Sequence, residues 1–226
     1  MVPSVYADTP SCSAVFPDGA QTHSSRGYVR FDWGASINGS PDNSLDTASI
    51  RENSGGVSCD TGNCAASGNP VDKLADINIP NSRNDVTVSS GVTQTLQPGN
   101  YDDIRFRSNS KITLEAGDYY VAGSFTADSS VTISIAGSGI ARLFINGRLT
   151  LESNAKMNVS GSALQLFVYT RRDVQLKSSS TMTALVYAKD NIQLYDRATL
   201  NGAATGAYVL LGSSASEINY DASDVA

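Results

Sequence analysis

The sequence predicts an all-β fold: a single-stranded parallel β-helix over residues 83–226, preceded by an irregular cap or side layer with short strands over residues 1–82. Three observations predict it. A unit of two apolar residues at i and i+2, a polar turn, and further apolar residues at alternating positions returns seven times. The turns are built from Ser, Asn and Asp, which favour corners over helices. Charged residues make up only 17% of the chain, and Ser, Thr, Asn and Gly carry the polar fraction, as in turn-rich extracellular β proteins.

The units begin at Val86, Ile104, Phe125, Leu149, Val174, Ile192 and Val209, so successive starts lie 18, 21, 24, 25, 18 and 17 residues apart, a coil-sized period. Ile104-Arg-Phe106 is followed by Ile112-Thr-Leu114, for example, and Leu149-Thr-Leu151 by Met157-Asn-Val159. A third apolar run, such as Tyr119-Tyr-Val121 or Leu143-Phe-Ile145, precedes several of the next starts. Alternation sends one set of side chains into a lumen. The corners, among them Ser108-Asn109, Ser153-Asn154, Ser178-Ser179 and Asp196-Arg197, tolerate left-handed backbone or bond to it locally. A lone coil loses more conformational entropy than its few apolar side chains return, so coils must stack, each pairing with two neighbours. An antiparallel sandwich has no reason to repeat one strand–corner–strand unit, and the crossover preference favours a right-handed coil.

Residues 1–82 are punctuated by Pro17-Asp-Gly19, Gly39-Ser-Pro-Asp-Asn43 and Ser54-Gly-Gly56, with Tyr28 to Trp33 alternating as a strand between them. At the other end, Asp221 to Ala226 follow the seventh unit without a capping helix, so the tail or further residues are expected to cover the exposed strand edges.

Of three cysteines, Cys59 and Cys64 bracket a small glycine-containing loop that fits a disulfide and hence an oxidising compartment; Cys12 is left over, free or paired outside the chain. Zinc would need about four ligands, and only His23 could join the cysteines. A net charge of −6 makes nucleic acid a poor partner, and no apolar run approaches the roughly 18 residues of a transmembrane segment. Val5-Tyr-Ala7 satisfies the small-residue rule of a signal cleavage site, and the chain reads as a mature or trimmed piece of something longer.

Several phrases resemble the family of the MSHA biogenesis protein MshQ and related bacterial surface proteins of type IV pili: Cys12 to Gln21, Phe31-Asp-Trp-Gly34, Gly39 to Asn43, Arg51 to Gly56, Pro98 to Ile104, Leu114 to Tyr120 and Arg142 to Gly147. The resemblance implies a surface or pilus-associated location in a Gram-negative bacterium and a role in adhesion or pilus biogenesis. It supplies no catalytic residue.

His23 is the only histidine, which leaves a Ser-His-Asp triad or a Cys-His dyad dependent on one loop residue. A carbohydrate-active β-helix would need carboxylates from different coils to converge, and Asp102, Asp103, Asp128, Asp173, Asp190 and Asp196 are the candidates, mostly at turns. Asp32, Asp42, Asn43 and Asp46 form a candidate calcium site in the cap, the alternative being turn hydrogen bonds. Tyr101, Tyr119, Tyr120, Tyr187, Tyr195 and Tyr208 exceed what a narrow aliphatic lumen uses, and are candidates for binding a glycan or protein. Only Thr181-Met-Thr183 is taken to have the Thr-x-Thr form, with no repeat in register on other coils, and ice binding is set aside on that ground. The expectation is therefore a non-enzymatic extracellular module, adhesive or structural, whose partner is a pilus or cell-surface protein or a glycan. A β-helix lyase or hydrolase and a calcium-dependent glycan-binding module are the alternatives.

Overall fold

The computed structural model describes residues 12–40, 43–53, 58–59, 62–212 and 214–224. They form a parallel β-solenoid with three faces. One face is a nine-stranded sheet in which all seven unit starts stand in a single column, Val86 against Ile104, then Phe125, Leu149, Val174, Ile192 and Val209. The column continues past Val209. Val29 pairs with Val209 and Ile50 with Val29, so the strands Tyr28–Phe31 and Ser49–Glu52 are its eighth and ninth rungs.

The other two faces share a fourteen-stranded sheet, because the strands Thr181–Ala188 and Thr199–Gly206 run unbroken around the corner between them. At the C-terminal end Glu217–Asn219 pairs with Ser36–Asn38, and that strand with Ser58–Cys59. The edge expected to need the tail or additional residues is thus covered by the N-terminal segment of the same chain. The disulfide expected from spacing is formed, with Cys59 and Cys64 bridged at a Cα separation of 5.2 Å.

Inside, each rung buries its alternating residues: Phe106, Leu151 and Leu176 from one face, Ile133, Met182 and Leu200 from the next. The corner between those two faces repeats one conformation. Gly34, Gly91, Asn109, Ser130, Asn154, Ser179 and Arg197 all adopt φ between 57° and 76°, the left-handed region anticipated for these turns. At five of the seven a small buried residue comes directly after it, Ala35, Ser110, Ala155, Ser180 and Ala198, because a tight corner leaves little room for a large one. At the Val86 end the lumen position opposite Ile112 holds exposed Gln94, which lets water meet a polar group where the stack stops.

From Asn69 to Asp85 the chain has no regular structure and lies along the outside of the third face. It connects the N-terminal rungs at one end of the solenoid to Val86 at the other. Leu74, Ile77 and Ile79 pack there on Phe16, Phe144, Tyr169 and Tyr187. The amide of Val71 donates to the Thr22 carbonyl (2.9 Å), that of Leu74 to the Tyr187 hydroxyl (3.1 Å), and the Arg171 guanidinium to the Ile77 carbonyl (2.9 Å). Lys189 and Asp76 form an ion pair beside them. Among the described residues no helix is long and apolar enough to cross a membrane.

Candidate functional site

Every rung points alternate side chains outward, so each face carries columns of residues in register, and the three faces differ in what fills those columns. On the nine-stranded face the central outward column is mixed, Thr87, Arg105, Thr126, Thr150, Gln175, Gln193, Leu210, Arg30 and Arg51, and charged residues flank it and pair across the rungs. Arg105 and Arg107 hold Asp128 at 3.0 and 3.7 Å, Arg148 holds Asp173 at 2.7 Å, and Arg30 holds Asp32 at 3.4 Å. On the third face the columns are aromatic: Tyr120 stacks on Phe144 (5.2 Å between centroids), and Tyr169 on Tyr187 (5.6 Å) and Tyr187 on His23 (5.1 Å). The segment 69–85 covers much of that row.

The remaining face carries a ladder of small hydroxyl and amide groups. Its strands place an outward residue on each side of an inward apolar one, so two columns run along it. The first column reads Thr93, Lys111, Thr132, Lys156, Thr181 and Thr199, then Glu217, Ser36 and Ser58. The second reads Thr95, Thr113 and Ser134, and beyond Asn158 it resumes as Thr183, Asn201, Asn219 and Asn38. Strand geometry sets the grid at about 4.8 Å along a column and roughly 6.7 Å across.

The two ends of this face are satisfied differently. Asn38, Asn219 and Asn201 bond to one another through their side-chain amides, at 2.7 and 3.0 Å, and Asn201 bonds on to the Thr183 hydroxyl at 3.3 Å. Thr199 donates to Glu217 at 3.3 Å. Toward Val86, by contrast, Thr93, Thr95, Thr132 and Ser134 are exposed. In the middle, Asn158 turns inward, its amide held by the carbonyls of Ser162 (2.9 Å) and Thr183 (3.0 Å), and the loop it anchors buries Thr183. Sequence reasoning missed this ladder by passing over Thr93-Gln-Thr95, a second Thr-x-Thr segment, and by requiring threonine at both positions elsewhere. The signal was there as Thr93-Gln-Thr95, Thr132-Ile-Ser134, Thr199-Leu-Asn201 and Ser36-Ile-Asn38, each an inward residue flanked by two small polar ones.

The candidates taken from the sequence are not gathered into one site. Tyr101, Tyr119 and Tyr187 are buried: the Tyr119 hydroxyl lies 2.8 Å from the carbonyls of Leu96 and Glu115, the Tyr101 hydroxyl 2.5 Å from that of Gln97, and burial pushes the Tyr187 hydroxyl up to about 12. Tyr120, Tyr195 and Tyr208 are half-buried; Tyr120 is on the aromatic face, and on the charged face Lys177 sits over the Tyr195 ring and Tyr208 packs on Tyr28. For calcium, Asp42 lies outside the described residues. Asp32 is engaged by Arg30 and Asn53, the Asp46 amide donates to Asp18, and Asn43 adopts φ 58°. Among the described residues no group of three or more His, Cys, Asp and Glu is arranged to hold a metal. His23 is buried, with Nε2 3.0 Å from the Ala188 carbonyl.

The acids do not converge as an active site would require. Two grooves on the charged face, of about 370 and 400 Å³, each hold only two carboxylates, Asp32 with Asp196 and Asp128 with Glu152. Asp173 is bound by Arg148, and Asp103 accepts from the Ser124 amide at 2.6 Å.

A family model described as a domain of unknown function, DUF7305, matches residues 51–223. The chain belongs to that family. None of the curated proteins matches it. Among solved structures it is similar to the crystal structure of an ice binding protein from an Antarctic bacterium, Flavobacteriaceae, at TM-score 0.59 and 16% identity over 93% of this chain. The chain spans about half of that one, 47% of its length. It is also similar to the DUF3494 domain of Shewanella frigidimarina ice-binding protein 1, at TM-score 0.51 and 12% identity, over 94% of this chain and 97% of the other. At such identities the likeness is one of fold, an all-β solenoid.

These comparisons overturn the resemblance to MshQ: the matching family is DUF7305, and nothing among the similar proteins is a pilus component. The adhesive role, the pilus-protein and glycan partners, and the lyase and calcium-dependent alternatives that accompanied it fall with it. Several of the shared phrases, Leu114 to Tyr120 and Arg142 to Gly147 among them, lie on strands and corners of the stack, where alternation and turn chemistry call for similar residues whatever the descent.

Proposed function

We propose that the chain is a non-enzymatic ice-binding module, and that its contact surface is the hydroxyl ladder. The in-register grid of Thr, Ser and Asn carries the reading. A rigid sheet holds these groups at about 4.8 Å intervals, near the oxygen repeat of ice, and threonine adds a methyl that keeps neighbouring water ordered. Because the solenoid backbone is fixed by pairing on both sides, the surface loses little entropy when water freezes onto it. Similar folds that are named as ice-binding proteins support the reading. The Cys59–Cys64 bridge supports an extracellular setting, where disulfides persist.

The test is partition of the purified chain into a slowly growing ice surface, with thermal hysteresis measured in parallel. Thr132→Tyr, which raises a bulky ring above the grid, is expected to remove most of both signals. Gln175→Tyr, in the mixed column of the nine-stranded face between Thr150 and Gln193, is expected to leave them intact. Equal losses from both substitutions, or exclusion of the unmodified chain from ice, would refute the assignment.

A further inference from the structure

Building on the ice-binding reading, we propose that Lys111 and Lys156 set the strength of this surface by interrupting its hydroxyl grid. The register puts Lys111 between Thr93 and Thr132, and Lys156 between Thr132 and Thr181. A lysine therefore stands on every second rung, about 10 Å apart, through the half of the face whose hydroxyls are most open to water. Both are exposed, and no ion pair holds either ammonium among the described residues.

An ammonium is a compact, strongly hydrated charge on a flexible stem. Water in its shell points its oxygen at the charge instead of taking the orientation a lattice site demands, and the moving stem sweeps the neighbouring rungs. Lys111 does the most damage. It lies in the middle of a patch formed by Thr93, Thr95, Thr113, Thr132 and Ser134, where the second column is an unbroken run of three hydroxyls. Without the lysine, both columns would be hydroxyl over three successive rungs. Lys156 stands at the border of that patch, beside the Asn158 loop, and separates it from the Thr181–Thr199 pair. Threonine fits both positions, since its β-branched side chain suits an exposed strand and already occupies the neighbouring rungs.

The experiment compares thermal hysteresis of the unmodified chain with Lys111→Thr, Lys156→Thr, the double variant, and Thr132→Lys as the converse, with melting curves showing that each is folded. The expected order is double variant, Lys111→Thr, Lys156→Thr, unmodified chain, Thr132→Lys, with a severalfold span between the first and the unmodified chain. Should the unmodified chain arrest ice while the threonine variants match or fall below it, the lysines are part of the contact and the proposal is wrong, although the ice-binding reading survives. If no member of the series arrests ice, that reading fails as well.

Discussion

The hydroxyl face and the aromatic face are built by the same rungs, yet one remains a surface and the other has become part of the interior. The strand Thr181–Ala188 shows the contrast within eight residues: Thr181 at its start is partly exposed on the hydroxyl face, and Tyr187 near its end is buried beneath the segment 69–85. Register treats the two ends alike. What separates them is a segment from elsewhere in the chain, which carries Leu74, Ile77 and Ile79 to one face only. An outward column is a binding surface only if nothing in its own chain comes back to cover it.

The sharpest way to break this comparison is to truncate one residue at each end of that strand. Tyr187→Ala removes a ring stacked on Tyr169 and His23, and the acceptor for the Leu74 amide, so a loss of about 3–5 kcal/mol is expected in urea denaturation. Thr181→Ala is expected to change stability by less than about 0.5 kcal/mol while weakening ice affinity. Similar stability costs at the two ends would mean the faces are not distinct in the way described.

Reduction of Cys59–Cys64 acts on the last rung of the hydroxyl face. The bridge closes a loop of only five residues' separation, so the chain-entropy account gives about 2 kcal/mol, read as the difference in denaturation midpoint with and without reductant. The effect should be confined to that end, leaving amide protection around Thr93 and Lys111 unchanged.

Acid should loosen the covered face alone. His23 donates through Nε2 to the Ala188 carbonyl, its Nδ1 is buried without a hydrogen-bond partner, and Lys73 and Lys189 lie nearby, with Asp76 bound to Lys189 and the rings of Tyr187 and Tyr169 alongside. Burial, more than the two lysines, holds the imidazole below its ordinary value of 6.5. The unfolded chain therefore takes up the proton first, and this share of the stability, complete above about pH 6.5, declines as the pH falls below it. Hydrogen exchange at Leu74 should accelerate across that range, and His23→Gln should flatten the profile. Exchange that rises equally on the hydroxyl face would show the loosening to be global.

The smallest expected effect is at the corner that separates the charged and hydroxyl faces. Arg197 adopts φ 57° where other coils use Asn109 and Asn154, so Arg197→Asn should stabilise the chain by several tenths and up to about 1 kcal/mol, seen as a higher melting temperature. A loss would mean that the Arg197 side chain is worth more than its backbone strain.

The amino-acid sequence by itself determined the coil. Val86, Ile104, Phe125, Leu149, Val174, Ile192 and Val209 were legible as equivalent positions because alternation and corner chemistry are local, and all seven fall in one column. The Cys59–Cys64 bridge was legible for the same reason, since its partners are neighbours in the chain. Tertiary structure alone decided which coils touch and which faces are covered. Val29 joins the column from 180 residues away in sequence and brings Ile50 with it, beyond the reach of any local period, and of the six tyrosines Tyr101 and Tyr119 are buried in the lumen by register while Tyr187 is buried because residues 69–85 pass over it. The hydroxyl ladder stood between these cases. Its residues were visible two by two, but a column exists only once the coils are stacked, because interchangeable Thr, Ser and Asn side chains become one surface through register and not through sequence identity.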